Sequence, residues 1–397
     1  MSSTILQGPV FEGASPDGGV TRYRDGKRWL WVLGTAWVSL VPLVSALVYF
    51  ALGGPAWAVL LPLIHTYVLI PALDGVVGED WHNPPEEVVP AMTEDRFYTW
   101  VAYAAVPVAY LNLIGAMWFI GTQGLPLWAD LALAVGIGLQ NGQAIVLAHE
   151  LGHRTDKVSR WFAKVALGAV GYGHFCAEHN AGHHVNVATP KDCASARMGE
   201  SVYAFATREL PGALRGAFAI ERRRLTAKGH AFWSAHNEIL QSYAITLAVG
   251  LGLAAWLGLG VLPFLILHHA FAYFALTIVN YIEHYGLLRE QKPNGRYEKC
   301  QPNHSWNTNH IVSNVLMIHL QRHSDHHANP MRPYQALRNF QDIPRLPSGY
   351  PGTMALAAVP PLWRRVMDPK VMAWASGDLG NVHVHEPARA KLESRWG

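Results

Sequence analysis

Histidine carries the chemistry legible in this sequence. His149 and His153 stand in LAHELGHR; His179, His183 and His184 stand in EHNAGHHVNVATPKDCASAR. His323, His326 and His327 follow much later, in LQRHSDHHANP. Residues three and four apart share a helix face, so each cluster can aim its imidazoles at one point. Neutral imidazole ligates iron, zinc, copper and nickel. One such histidine is more often an ordinary core or surface residue. Three clusters beside long apolar segments point to a metal centre.

The elements that must hold these clusters are long and apolar. A membrane span needs about 20 apolar residues. Segments 29–52, 56–73, 97–120, 127–148, 239–258 and 262–283 reach or approach that length. Tight turns at Gly53 to Pro55, Gly121 to Pro126 and Gly258 to Val261 join them into three hairpins. The expected fold is all-α: a six-helix transmembrane bundle with a helical, histidine-rich cytoplasmic cap. Residues 1–28 read as a flexible lead-in, 29–148 as the first two hairpins and 239–283 as the third. Residues 149–238 and 284–397 carry the histidine clusters. Segment 161–175 is apolar but short, which predicts a buried or interfacial helix rather than a seventh span.

Composition agrees with a bilayer. Half of the 397 residues are hydrophobic and 15% are charged, against about 25% charged in soluble domains. The net charge of +3 suggests no nucleic-acid partner. The polar N-terminus lacks a signal peptide's apolar region. Arg154, Lys157, Arg160, Arg208, Arg222, Arg223 and Arg224 lie between the fourth and fifth segments, while the three tight turns carry no Lys or Arg. The positive-inside rule then puts the long segments and both termini in the cytoplasm, for a multi-pass protein of a bacterial inner membrane.

On that arrangement His149 ends the fourth span and His284 ends the sixth, so the clusters meet at one membrane boundary. His268 and His269 lie about 16 residues up the sixth span from His284, roughly 24 Å at helical rise. They read as hydrogen-bonded bundle residues. His174, His304 and His310 lie near the clusters in sequence and stay unassigned. Glu150, Glu178, Glu283 and Asp325 adjoin or nearly adjoin candidate ligands, so they either orient imidazoles or make ordinary polar contacts.

At these residues the sequence resembles the integral-membrane non-haem diiron alkane 1-monooxygenases, of the membrane fatty-acid desaturase/hydroxylase superfamily. The motifs are HELGHR (149–154), EHNAGHH (178–184), VATPKD with SAR (187–197), NYIEHYGL (280–287) and LQRHSDHHANP (320–330) with Tyr334 and Gln335. Cys193 stands where the family motif usually has proline, which alters a loop turn rather than a ligand. The resemblance implies two irons held by His149, His153, His179, His183, His184, His284, His323, His326 and His327. With eight histidines each iron would take four, and His284 would give one of them a fifth bond. The resemblance also implies terminal hydroxylation of linear alkanes with dioxygen as co-substrate. Rubredoxin, fed by an NADH-dependent rubredoxin reductase, would supply the electrons.

The residues make the same case from below. An alkane offers no group to polarise or deprotonate, so a redox metal must activate oxygen. A rubredoxin centre needs four thiolates, and this chain has three scattered cysteines, Cys176, Cys193 and Cys300. The donor's centre must therefore lie outside this sequence, on a separate chain or a fused domain, and Arg222, Arg223 and Arg224 are candidates to dock it. A substrate drawn from the bilayer would arrive end-on, with His65, Leu69 and Ile70 as candidate channel walls.

Two rival readings share these motifs. HELGH matches the zinc-protease pattern H-E-x-x-H, with Glu150 as general base, but leaves at least five clustered histidines idle. A membrane fatty-acid desaturase or acyl hydroxylase has similar histidine boxes. A metal or proton transporter would instead spread ionisable residues through its spans.

Overall fold

Long apolar runs become long helices, because a backbone in lipid must satisfy its own hydrogen bonds. The computed structural model describes residues 8–397 and is mostly helical. In chain order the membrane-length elements begin with α1 (Arg28–Ala51), α2 (Ala56–Val77), α3 (Arg96–Thr122) and α4 (Leu127–Gly152). After them come α5 (Lys157–Val170), then α6, which runs from Phe175–Glu178 through a π-helical turn His179–His183 into His184–Asn186. The long helices α7 (Val202–Ala227), α8 (Glu238–Leu257) and α9 (Leu262–His284) follow, and α10 (His323–Ala328) carries the last histidines.

Among the described residues, five helices are long and apolar enough to cross a membrane: α2, α3, α4, α8 and α9, the last extended to Leu259. Helix α1 makes a sixth if its two halves, bent by 42°, count as one span. The bend has a local cause. Pro42 has no N–H for the Val38 carbonyl one turn back, and its ring crowds that turn. Gln140 of α4 donates its side-chain amide to the Val38 carbonyl, so the freed acceptor is satisfied from a neighbouring helix.

Segment 161–175 falls mostly in α5, a 14-residue helix rather than a span. Asp156 caps it by accepting from the Ser159 amide at 2.8 Å, and Gly171, at φ +69°, ends it in the left-handed conformation. Its buried face, Ser159, Ala163, Ala166, Leu167 and Val170, packs on the end of α4 and on α8.

The lead-in differs from the expectation. Residues 1–7 lie outside the described residues. Beyond them, Val10–Ala14 (β1) and Val20–Arg24 (β2) form an antiparallel hairpin rather than a flexible arm. The turn Ser15 to Gly19 closes it, with Gly18 at φ +84°. Gly13 lets the hairpin lie against the Glu87 carbonyl, which any Cβ would strike. Lys27, just beyond, bonds Asp80 at 2.6 Å, and buried Arg322 reaches the same carboxylate at 3.3 Å. The N-terminal region is thus tied to the residue preceding His323.

Inside the bundle, His268 bonds Asn141 at 3.0 Å and His269 at 3.1 Å. Both are hydrogen-bonded bundle residues, as expected.

Candidate metal centre

Nine imidazoles gather where α4 and α9 end and α6 and α10 pack between them. They form two groups. His149, His153, His179, His184 and His326 make one, and His183, His284, His323 and His327 make the other. Within each group the ligand atoms all lie within 4.8 Å of one another.

This partition cuts across the sequence clusters. The π-helical turn His179–His183 adds a residue to the turn, so His184, not His183, comes back over His179. The Nε2 atoms of His179 and His184 are 3.0 Å apart, while His183 faces the other group. On α10, His323 and His327 keep ordinary i, i+4 spacing and their Nε2 atoms lie 2.8 Å apart, whereas His326 points to the first group, 3.0 Å from His184. The expectation that each cluster converges on one point is corrected: the second and third clusters each serve both groups. His284 belongs to the group of four, so without it the division is five and three, not four and four.

The donors fit a pair of metal ions. Two ligands at right angles on bonds of about 2.1 Å stand about 3 Å apart, and the close Nε2 pairs here span 2.8 to 3.2 Å. Nε2 of His149, His153 and His183 is buried without a partner among the described residues. Such orphans are costly unless something occupies them. Burial, reinforced by neighbouring imidazoles, pushes His153 down to about 4 and holds His179, His326 and His327 well below the ordinary imidazole range. These rings stay neutral, which is the ligating form.

The surrounding groups fix the rings. Asp192 Oδ2 accepts from His183 Nδ1 at 2.9 Å and from the Ser195 hydroxyl at 2.6 Å. The His304 carbonyl lies 3.3 Å from His284 Nδ1. Glu283 Oε2 lies 3.2 Å from His323 Nε2, and its other oxygen accepts from the Tyr350 hydroxyl. The other three candidate carboxylates serve the scaffold. Glu150 pairs with Arg154 at 3.0 Å and accepts from the Tyr334 amide at 3.2 Å. Asp325 accepts from Asn329 and from the Arg338 amide, holding the chain after α10. Glu178 packs against Gly182 and Gly216, near the Cys193 thiol. His304 pairs with Glu298, His310 with Thr308 and His174 with Tyr243, and none enters either group.

Asp192 is the residue that reading the sequence missed. Its signal was position: an acid in TPKD followed by small residues, on the loop leaving the second cluster. Glu178, Asp192 and Cys193 also lie close together, but both Asp192 oxygens are already taken, by His183, Ser195 and the Ala194 amide.

An apolar cavity of about 90 Å³ lies among α2, α4 and α9, lined by Ile70, Leu139, Val146, Leu276 and Met317. His65 also faces it, with Nε2 accepting from Trp37 Nε1 at 2.6 Å. Leu69 does not: it points outward, 43% exposed.

Membrane-length helices that end in clustered histidines define a class, the membrane histidine-box oxidoreductases, and residues 123–354 match the fatty acid desaturase family. Within that class the similarity is specific. The chain is 46% identical over 397 residues to alkane 1-monooxygenase 1 of Alcanivorax borkumensis, covering all of this chain and 97% of that one. It is 47% identical over 376 residues to the alkane 1-monooxygenase of Pseudomonas putida, covering 94% and 92%. A more distant relative is the hydroxylase component of a Pseudomonas putida xylene/toluene monooxygenase, 28% identical over 57% of this chain and 60% of that one. The chain belongs to the alkane 1-monooxygenase family.

Proposed function

We propose that the protein hydroxylates the terminal carbon of linear alkanes at a diiron site on the cytoplasmic boundary of a bacterial inner membrane. Alkane, dioxygen, two electrons and two protons give a primary alcohol and water. Rubredoxin delivers the electrons and an NADH-dependent rubredoxin reductase recharges it. The observation that carries this reading is the pair of adjacent imidazole groups at the ends of membrane-length helices.

His149, His153, His179, His184 and His326 hold one iron; His183, His284, His323 and His327 hold the other. Bound iron supplies the oxygen activation that an unactivated C–H bond requires. The chain's own residues do the rest. Asp192 and the His304 carbonyl orient two ligands, and burial keeps the rings neutral. Ile70, Leu139 and Val146 offer an apolar wall to a chain entering from the bilayer, so that a terminal methyl arrives first. Glu150, held by Arg154 and the Tyr334 amide, is not free to act as the general base of a zinc protease.

The test combines metal analysis with turnover on a chain-length series of alkanes and acyl substrates. Iron in the purified protein, and 1-octanol formed from octane only when rubredoxin, its reductase and NADH are all present, are expected. Zinc in place of iron, mainly internal alcohols, or hydroxylation by NADH without a redox protein would overturn the reading.

A further inference from the structure

A small cavity lies beside the metal centre and shares Leu276 with the apolar one. It has room for one water molecule. It touches one histidine of each group, His179 and His183. The rest of its lining includes His174, Glu178, Glu209 and Asn280. Apolar voids stay dry, but a polar one of this size holds water.

Two of these side chains have no part in holding the histidines. Glu209 on α7 is 1% exposed and faces α9, where the Thr277 hydroxyl donates to it at 2.9 Å and Asn280 at 3.3 Å. His174 is 3% exposed; its Nδ1 lies 2.6 Å from the Tyr243 hydroxyl and its buried Nε2 has no partner among the described residues. Tyr243 is only half-buried, near the start of α8. From half-buried Tyr243 the contacts lead to His174 and then to the cavity, where Glu209, His179 and His183 meet.

We propose that the cavity holds a water molecule through which His174 and Glu209 pass protons to the oxygen reduced at the metal centre. The proposal rests on the oxygen-reducing function above. Each turnover consumes two protons and two electrons: one oxygen atom enters the alcohol and the other leaves as water. Glu209 releases a proton to the cavity water, which passes one on past His179 and His183. His174 then takes a proton at one ring nitrogen, from the Tyr243 side, and releases one from the other to restore Glu209. Burial, with Asp192 also raising it and Thr277, Asn280 and Arg208 lowering it, brings Glu209 up to about 7, so both its forms are accessible near neutrality. Burial pushes His174 down to about 4, so the ring rests neutral, with one nitrogen protonated and the other free. Of the other titratable groups at the cavity, Glu178 stands beside His179 and serves as wall, and Tyr172 faces it as a buried phenol.

The test uses the full chain, loaded with iron, and three variants: Glu209→Gln, His174→Phe and Ala213→Leu. Ala213 lines the cavity, so the larger side chain displaces the water without removing a carboxyl. All three are expected to keep their iron and their KM for octane, and to lose about 100-fold in kcat. The solvent deuterium isotope effect should rise, and Glu209→Asp should recover part of the rate. Infrared difference spectra of wild type and Glu209→Gln should show a protonated-carboxyl carbonyl stretch that only wild type has, with or without iron. Turnover within about twofold of wild type in Glu209→Gln overturns the relay. So does loss of iron in that variant, which assigns Glu209 to structure, or absence of the infrared band. If wild type itself fails to oxidise alkanes, the function proposed above has failed, and the infrared arm still reports on Glu209.

Discussion

His184 and His327 come from different histidine groups, yet their ring centroids lie only 4.5 Å apart. They bring the two groups side by side, and no single cluster of the sequence builds either one. His284 is the one member outside the three clusters, and His183, His323 and His327 would remain without it. His284→Ala is therefore expected to release the iron of the four-histidine group, retain the other and abolish octane hydroxylation while the chain still inserts. Iron content per chain, measured beside turnover, checks this. Full iron content with near-normal turnover would make His284 an interfacial residue only.

Asp192 acts on the metal through His183. Asparagine there offers an amide where His183 needs an acceptor, and it also weakens the bond from Ser195. Losing such a partner lowers metal affinity about 10–100-fold. Asp192→Asn should do so in competitive iron-chelator titrations. Asp325→Asn should not, because Asp325 bonds Asn329 and the Arg338 amide rather than an imidazole. Equal losses in both variants would mean that general loosening of the cap, not ring orientation, sets affinity.

Five of the six expected spans, the short α5 helix and the gathering of nine histidines were legible because hydropathy and side-chain identity are local. How the histidines divide was not. His183 and His184 are neighbours in sequence, and which faces which group depends on a π-helical turn that an i, i+4 pattern does not encode. Asp192 was equally hidden: its role comes from a loop folding back on His183. The Val10–Ala14 and Val20–Arg24 strands escaped notice because each is five residues long in a polar stretch, and their footing, the Glu87 carbonyl, lies far along the chain. Leu69 and Ile70 looked alike as apolar residues of one span, and only packing turned one outward and the other inward.

That last contrast makes a test of the substrate route. Ile70 is 5% exposed and lines the apolar cavity, while Leu69 is 43% exposed and faces away from it. Ile70→Phe should shift the preferred alkane to shorter chains, at an overpacking cost of about 1–3 kcal/mol. Leu69→Phe should leave the preference unchanged. Product yields across the alkane series, normalised to iron content, distinguish them. The same chain-length profile in both variants would put the substrate route elsewhere.

The bend in α1 gives a prediction about stability rather than turnover. Gln140 satisfies the Val38 carbonyl because Pro42 has no N–H to offer it. Gln140→Leu strands that carbonyl in an apolar setting, at a cost of about 1–3 kcal/mol. Pro42→Ala restores a backbone donor one turn on, so in that background Gln140→Leu should cost less. Unfolding in detergent across the wild type, both single variants and the double variant reads the coupling directly. If Gln140→Leu costs the same with and without Pro42→Ala, the Val38 carbonyl is satisfied some other way and the link between α1 and α4 lies in their packing alone.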